Sequence, residues 1–77
     1  MRKLPLAKLR DNQKARIIEI QAGKALVNRY MSMGIYPGRE VTKLSQFMLR
    51  GPVAIKVGRT VLALGYGMAH KIIVELE

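Results

Sequence analysis

The sequence predicts a mainly β fold: a small, twisted, barrel-like sheet of about five strands with one short inserted helix. Three observations point there. The chain has 77 residues, and a chain of that size hides only about 60% of its unfolded surface on folding, so a second core is out of reach and one domain over residues 1–77 is expected. Glycines recur between short apolar segments, the pattern of a strand-rich fold with tight turns. No internal repeat or low-complexity linker interrupts that pattern.

The first strand is read at residues 14–20, "KARIIEI", which is β-branched and apolar. Adjacent Ile17 and Ile18 break the alternation, which implies either burial on both faces or a β-bulge. After Gly23, "KALVNRYMSM" places Leu26 and Tyr30, and Val27 and Met31, four apart, which predicts a short helix over 24–33 closed by Gly34. Its apolar arc spans roughly 160° at about 100° per residue, wide for a helix resting on a small sheet. Tyr36-Pro37-Gly38-Arg39 has proline second and glycine third, as a type II turn requires.

A second strand follows at 40–46, "EVTKLSQ", and then a loop, "FMLRGP", whose three leading apolar residues cannot all point inward from a strand. In "VAIKVGRTVLAL", Val53, Ile55 and Val57 alternate, Gly58-Arg59 supplies a two-residue turn with glycine first, and residues 61–64 return as a β-hairpin. "GYGMAH" makes a turn or one helical turn. "KIIVELE" closes the chain as a strand with Ile72, Val74 and Leu76 on one face and Glu75 and Glu77 on the other. Such a set implies a small barrel-like sheet.

Fourteen Lys and Arg against five Asp and Glu give a net charge of +9, which draws the molecule to anionic surfaces: nucleic acid, the inner face of a membrane, or an acidic protein. Composition does not choose among them. No apolar run reaches the 18 or so residues that span a bilayer, and no signal peptide is expected from "MRKLPLAKLRDNQ". There is no cysteine, which removes disulfides and thiolate chemistry and fits a reducing, cytosolic setting.

No enzyme is indicated. His70 is the only histidine, no spacing motif surrounds Ser32 or Ser45, and His70 reads as a surface or turn residue. One imidazole and scattered carboxylates make no metal site. Met31 and Met33, two apart on a helix, point in different directions and read as packing residues. Gly65 and Gly67 form a G-x-G without the third glycine of a dinucleotide fingerprint. No cofactor is expected. Nucleic-acid binding is the alternative reading, since small basic barrels bind it, but Tyr30, Tyr36, Phe47 and Tyr66 do not alternate with Lys or Arg as a stacking platform would. Recognition of another protein is favoured, through the helix flank of Leu26, Arg29, Tyr30 and Met33, or the loop of Phe47, Met48 and Leu49. Leu26 and Tyr30 could equally belong to the core, with the loop folded over a barrel end.

Taken in order, Leu6 and Leu9, Leu26 with Arg29, Met33-Gly34-Ile35, Pro37-Gly38 and Val41, Gly51-Pro52-Val53 with Ile55 and Val57, then Val61, Ala63, Leu64, Ala69, Ile72 and Val74 resemble the FeoA family across nearly the whole chain. These are small cytosolic accessory proteins of bacterial ferrous iron uptake. The resemblance implies an SH3-like barrel and a partner, the cytosolic GTP-binding region of a FeoB-like membrane transporter, with work at the inner face of the cell membrane. Leu26, Arg29, Tyr30, Met33, Phe47 and Met48 are then the expected partner-binding residues, and an exposed arginine such as Arg29 or Arg50 could reach the partner's nucleotide. A homo-oligomer remains open. Two positions depart from the family's pattern: Asn12 stands where a glycine is expected and can still adopt positive φ, and Gly65-Tyr66-Gly67 replaces more helical residues, so a looser turn is expected there.

Overall fold

The computed structural model describes residues 2–76. Its strands are β1 (Arg2–Pro5), β2 (Lys14–Ile20), β3 (Glu40–Gln46), β4 (Val53–Val57), β5 (Thr60–Leu64) and β6 (Ile72–Leu76). Between them lie a 3-10 turn (Leu6–Lys8), helix α1 (Lys24–Ser32) and helix α2 (Tyr66–Lys71). Every pairing is antiparallel, and the strand order is β1-β6-β2-β3-β4-β5.

The five expected strands are present, and β1 is a sixth. It pairs with β6 from Arg2 opposite Leu76 to Pro5 opposite Ile73. "RKLP" has no apolar alternation to announce a strand. Its order comes from backbone pairing along β6, and Pro5 ends it at the sheet edge, where a missing N–H costs no ladder bond. The expected loose turn around Gly65-Tyr66-Gly67 is instead the six-residue helix α2, with Ala69 fully buried. Glycine at position 67 is tolerated because Met68 and Ala69 bond back to the Gly65 carbonyl at 3.1 and 2.9 Å.

Two β-bulges curl the sheet. In β2 the pairing with β6 passes from Ile17–Val74 to Glu19–Ile73, leaving Ile18 as the extra residue, so the adjacent isoleucines mark a bulge. In β3 the pairing with β4 passes from Lys43–Ile55 to Ser45–Ala54, leaving Leu44 unpaired. Residues three apart on a strand normally face opposite ways, because side chains alternate. The second bulge cancels that: Lys43 lies opposite buried Ile55 and Gln46 opposite buried Val53, so both face inward.

The core inside the curl contains Leu6, Ile17, Ile35, Val41, Val53, Ile55, Ile72 and Val74, all without solvent exposure. Alternation fulfils its promise in β6, where Ile72 and Val74 are buried and Leu76 packs on the core. Glu75 lies on the opposite face, and Glu77 is outside the described residues.

Helix α1 ends as its glycine requires. Gly34 has φ +88°, its N–H donates to the Met31 carbonyl at 3.0 Å, and the Ile35 N–H donates to the Tyr30 carbonyl at 2.9 Å. This is a Schellman closure, and its usual apolar contact is made by buried Tyr30 and Ile35. The next turn is type II: Gly38 has φ +95° and the Arg39 N–H donates to the Tyr36 carbonyl at 3.2 Å. Gly38 N–H then donates to the Ile17 carbonyl and Ile17 N–H to the Arg39 carbonyl, at 2.7 and 2.9 Å, which pins the corner to β2 beside its bulge.

Candidate partner-binding site

The inward-facing Lys43 organises one side of the barrel. It is only 5% exposed, and burying an ammonium is tolerable only when its donors are satisfied. Its Nζ donates to the Ala7 carbonyl at 3.0 Å, the Leu9 carbonyl at 2.8 Å and Gln46 Oε1 at 2.9 Å. Three donors meet three acceptors. Among the described residues no buried side-chain nitrogen or oxygen lacks a partner.

Gln46 carries this order into the next loop, because its Nε2 donates to the Leu49 carbonyl at 2.7 Å while Phe47 N–H donates to the Pro52 carbonyl at 3.1 Å. The loop is thereby held closed with its side chains outward: Phe47 is 61% exposed, Met48 78% and Leu49 91%. Two further features fix its shape. A Cβ on Gly51 would collide with the Phe47 carbonyl, and Met48 sits at φ +63°, a conformation that costs an L-residue about 1–2 kcal/mol. The loop does not fold over the barrel end. It presents apolar side chains to solvent on a fixed backbone.

The helix flank forms a second feature. Leu26, Arg29 and Tyr30 of α1, with Met33 just past its end, make one wall of an apolar groove of about 360 Å³, with Leu62, Ala63 and Leu64 of β5 opposite and Gly65 and Met68 at its end. Leu26 and Met33 are half-buried against the core, Arg29 is exposed, and Tyr30 is itself a core residue, 5% exposed. Burial pushes the Tyr30 phenol above its ordinary pKa of 10.0, and the neighbouring Arg29 charge opposes that in part. Met48 and Leu49 line a separate hollow with Ala7, Lys8, Lys43 and Tyr66. The two features thus meet the same short segment, residues 65–68, from different sides.

Sequence reasoning found one wall of the groove and the loop, and missed Lys43, Gln46, the β5 wall and Met68. Val41 and Lys43 stand two apart, an alternation that places the lysine inward, but the Leu44 bulge that gives it Gln46 leaves no mark in composition. Elsewhere, His70 is exposed on α2 with its ring centroid 5.7 Å from that of Tyr66. Met31 is half-exposed, outside the core. Arg50 lies at the exposed loop beside Leu49. Among the described residues no three His, Cys, Asp or Glu side chains group as metal ligands.

The FeoA domain model matches residues 4–76. The chain belongs to the FeoA family. It is 34% identical over 71 residues to a candidate Fe(2+) transport protein A of Methanocaldococcus jannaschii, a match covering 92% of this chain and 84% of that one. Among solved structures it is similar to an iron uptake regulatory protein, FeoA, with a TM-score of 0.85 and 28% identity over 97% of both chains. It is also similar to a zinc complex of Stenotrophomonas maltophilia FeoA, described as a prokaryotic SH3 domain protein. There the TM-score is 0.80 and the identity 25%, over 94% of this chain and 89% of that one. The six-stranded antiparallel curl is accordingly an SH3-like barrel. Among the described residues of this FeoA chain no helix is long and apolar enough to cross a membrane.

Proposed function

We propose that this FeoA chain is a non-enzymatic accessory protein of ferrous iron uptake, acting as one domain over residues 1–77. It docks on the cytosolic GTP-binding region of a FeoB-like membrane transporter, at the inner face of the membrane, and supports or regulates transport. Family membership supports the ferrous iron setting, since the M. jannaschii and S. maltophilia relatives are both described in terms of ferrous iron transport. The observation that carries the docking step is the loop: Phe47, Met48 and Leu49 stand together, each more than half exposed, on a backbone fixed by Lys43 and Gln46. Clustered exposed apolar side chains on an ordered loop are the usual mark of a contact surface. The groove at Leu26, Arg29 and Met33 supplies a second contact with a basic rim.

The test is titration of the chain against the purified cytosolic region of a FeoB-like transporter. Leu26→Arg and Phe47→Asp each retain the melting temperature within a few degrees and lose about tenfold or more in affinity, as truncating a buried anchor does. If both fold normally and bind unchanged, the docking surface is wrongly assigned. Apolar docking also predicts a shallow dependence on salt. A steep fall of affinity for single-stranded nucleic acid with salt, without binding to the transporter region, would instead favour the phosphate-contact reading. Regulation is read separately: an unchanged GTP turnover at saturating chain excludes it.

A further inference from the structure

On the outer face of the sheet, away from the groove and the loop, Lys14 of β2 lies opposite Thr42 of β3, and Thr42 opposite Lys56 of β4. These three residues line a hollow of about 300 Å³ with Arg39, Glu40 and Gly58. The arginine is not a loose surface side chain. Its Nη1 donates to Tyr36 Oη at 2.8 Å, and its guanidinium carbon lies 5.4 Å from the centre of the Tyr36 ring. It also rests on the β4–β5 hairpin turn, where a Cβ at Gly58 would collide with the guanidinium. Among the described residues no carboxylate is paired with it. A half-buried arginine is thus fixed in place with donors to spare, between two exposed lysines and a threonine hydroxyl.

We propose that this hollow binds a phosphate group. The guanidinium is the anchor, because its planar fork of donors matches two phosphate oxygens and little side-chain freedom remains to be lost. Lys14 and Lys56 add point charges and Thr42 a hydroxyl donor. Three cations against the single carboxylate of Glu40 leave the hollow at +2, matched to a phosphate monoester or one half of a diphosphate. Gly58 has φ +61° and serves two purposes, as the first residue of the hairpin turn and as the gap that admits Arg39. A soluble phosphate compound and a lipid headgroup present the same chemistry.

The test is a titration of the full chain with inorganic pyrophosphate, followed by amide NMR, alongside sedimentation with phosphatidylcholine vesicles containing phosphatidic acid. Pyrophosphate shifts the amides of Lys14, Thr42, Lys56 and Gly58. Arg39→Leu weakens the effect about tenfold or more, while Arg39→Lys, which keeps the charge and loses the fork, weakens it about threefold. Tyr36→Phe, which keeps the ring and releases the guanidinium, also weakens it, and Arg59→Leu leaves it unchanged. Binding to vesicles alone with the same dependence on Arg39 assigns the site to a lipid headgroup. A purely structural Arg39 would lower the melting temperature in Arg39→Leu without a localised titration in any form. Shifts spread over all basic residues, equally reduced by Arg39→Leu and Arg59→Leu, would overturn the proposal.

Discussion

Replacing Lys43 with methionine keeps the unbranched shape and most of the volume of the side chain while removing its terminal ammonium. The Ala7 and Leu9 carbonyls, which accept from Nζ at 3.0 and 2.8 Å, are then left facing an apolar tip. An orphaned buried acceptor costs about 1–3 kcal/mol. Two of them cost about 2–6 kcal/mol, and relief from burying the charge returns part of that. A net loss of roughly 2–4 kcal/mol follows, a large share of the roughly 4–12 kcal/mol expected for a domain this size at about 0.05–0.15 kcal/mol per residue. At about 4–8 °C per kcal/mol for small domains, the melting temperature should fall by roughly 8–32 °C. Thermal unfolding by circular dichroism is the assay. Amide exchange gives a second readout, since Gln46 loses its donor and the Phe47–Gly51 backbone should exchange faster. A Lys43→Met chain that melts within a few degrees of the parent, with that loop still protected, would refute the claim that the ammonium fastens the 3-10 turn and the loop to β3.

Three further outcomes follow from the same geometry. Tyr30 ionises above pH 10.0 because burial disfavours its anion, so its share of stability is intact below that value and is lost as pH rises through the higher folded pKa. Denaturant titration of the parent should show this alkaline decline, and Tyr30→Phe should flatten it. Gly51→Ala forces a Cβ against the Phe47 carbonyl and should cost about 1–3 kcal/mol, as overpacking does, with binding to the transporter region weakened along with it in the same titration. Met48→Gly should relieve about 1–2 kcal/mol of left-handed strain against about 0.5–1 kcal/mol of added chain entropy. Its melting temperature should therefore be level or slightly raised, while partner affinity falls because an exposed contact is gone. A fall in stability beyond about 1 kcal/mol would show that the Met48 side chain supports the fold.

Much of this chain is written locally. The Schellman closure at Gly34, the type II turn at Pro37-Gly38, the left-handed Asn12 at φ +66° and the hairpin at Gly58-Arg59 all depend on conformations that few residue types adopt. Composition at those points is close to sufficient. The buried faces of β4 and β6 are legible for a similar reason, since a strand alternates every second residue and Val, Ile and Leu occupy one phase. The Phe47-Met48-Leu49 loop was visible as well, because three successive apolar residues cannot all turn inward from a strand.

Tertiary structure alone decided the rest. Strand β1 exists because β6 offers it a backbone to pair with, and its own side chains carry no period. Tyr30 and Leu26 share one helical flank and both line the groove, yet Tyr30 is buried in the core and Leu26 only half-buried against it, a division that spacing along the helix does not show. Lys43 is the sharpest case: a lysine in a strand reads as solvated, and only the bulge at Leu44 turns Gln46 to the same face while the chain brings the Ala7 and Leu9 carbonyls within reach. Local conformational preference can be read one residue at a time. The partners that make a buried charge tolerable, or an arginine rigid, come from segments distant in sequence, and folding is what assembles them.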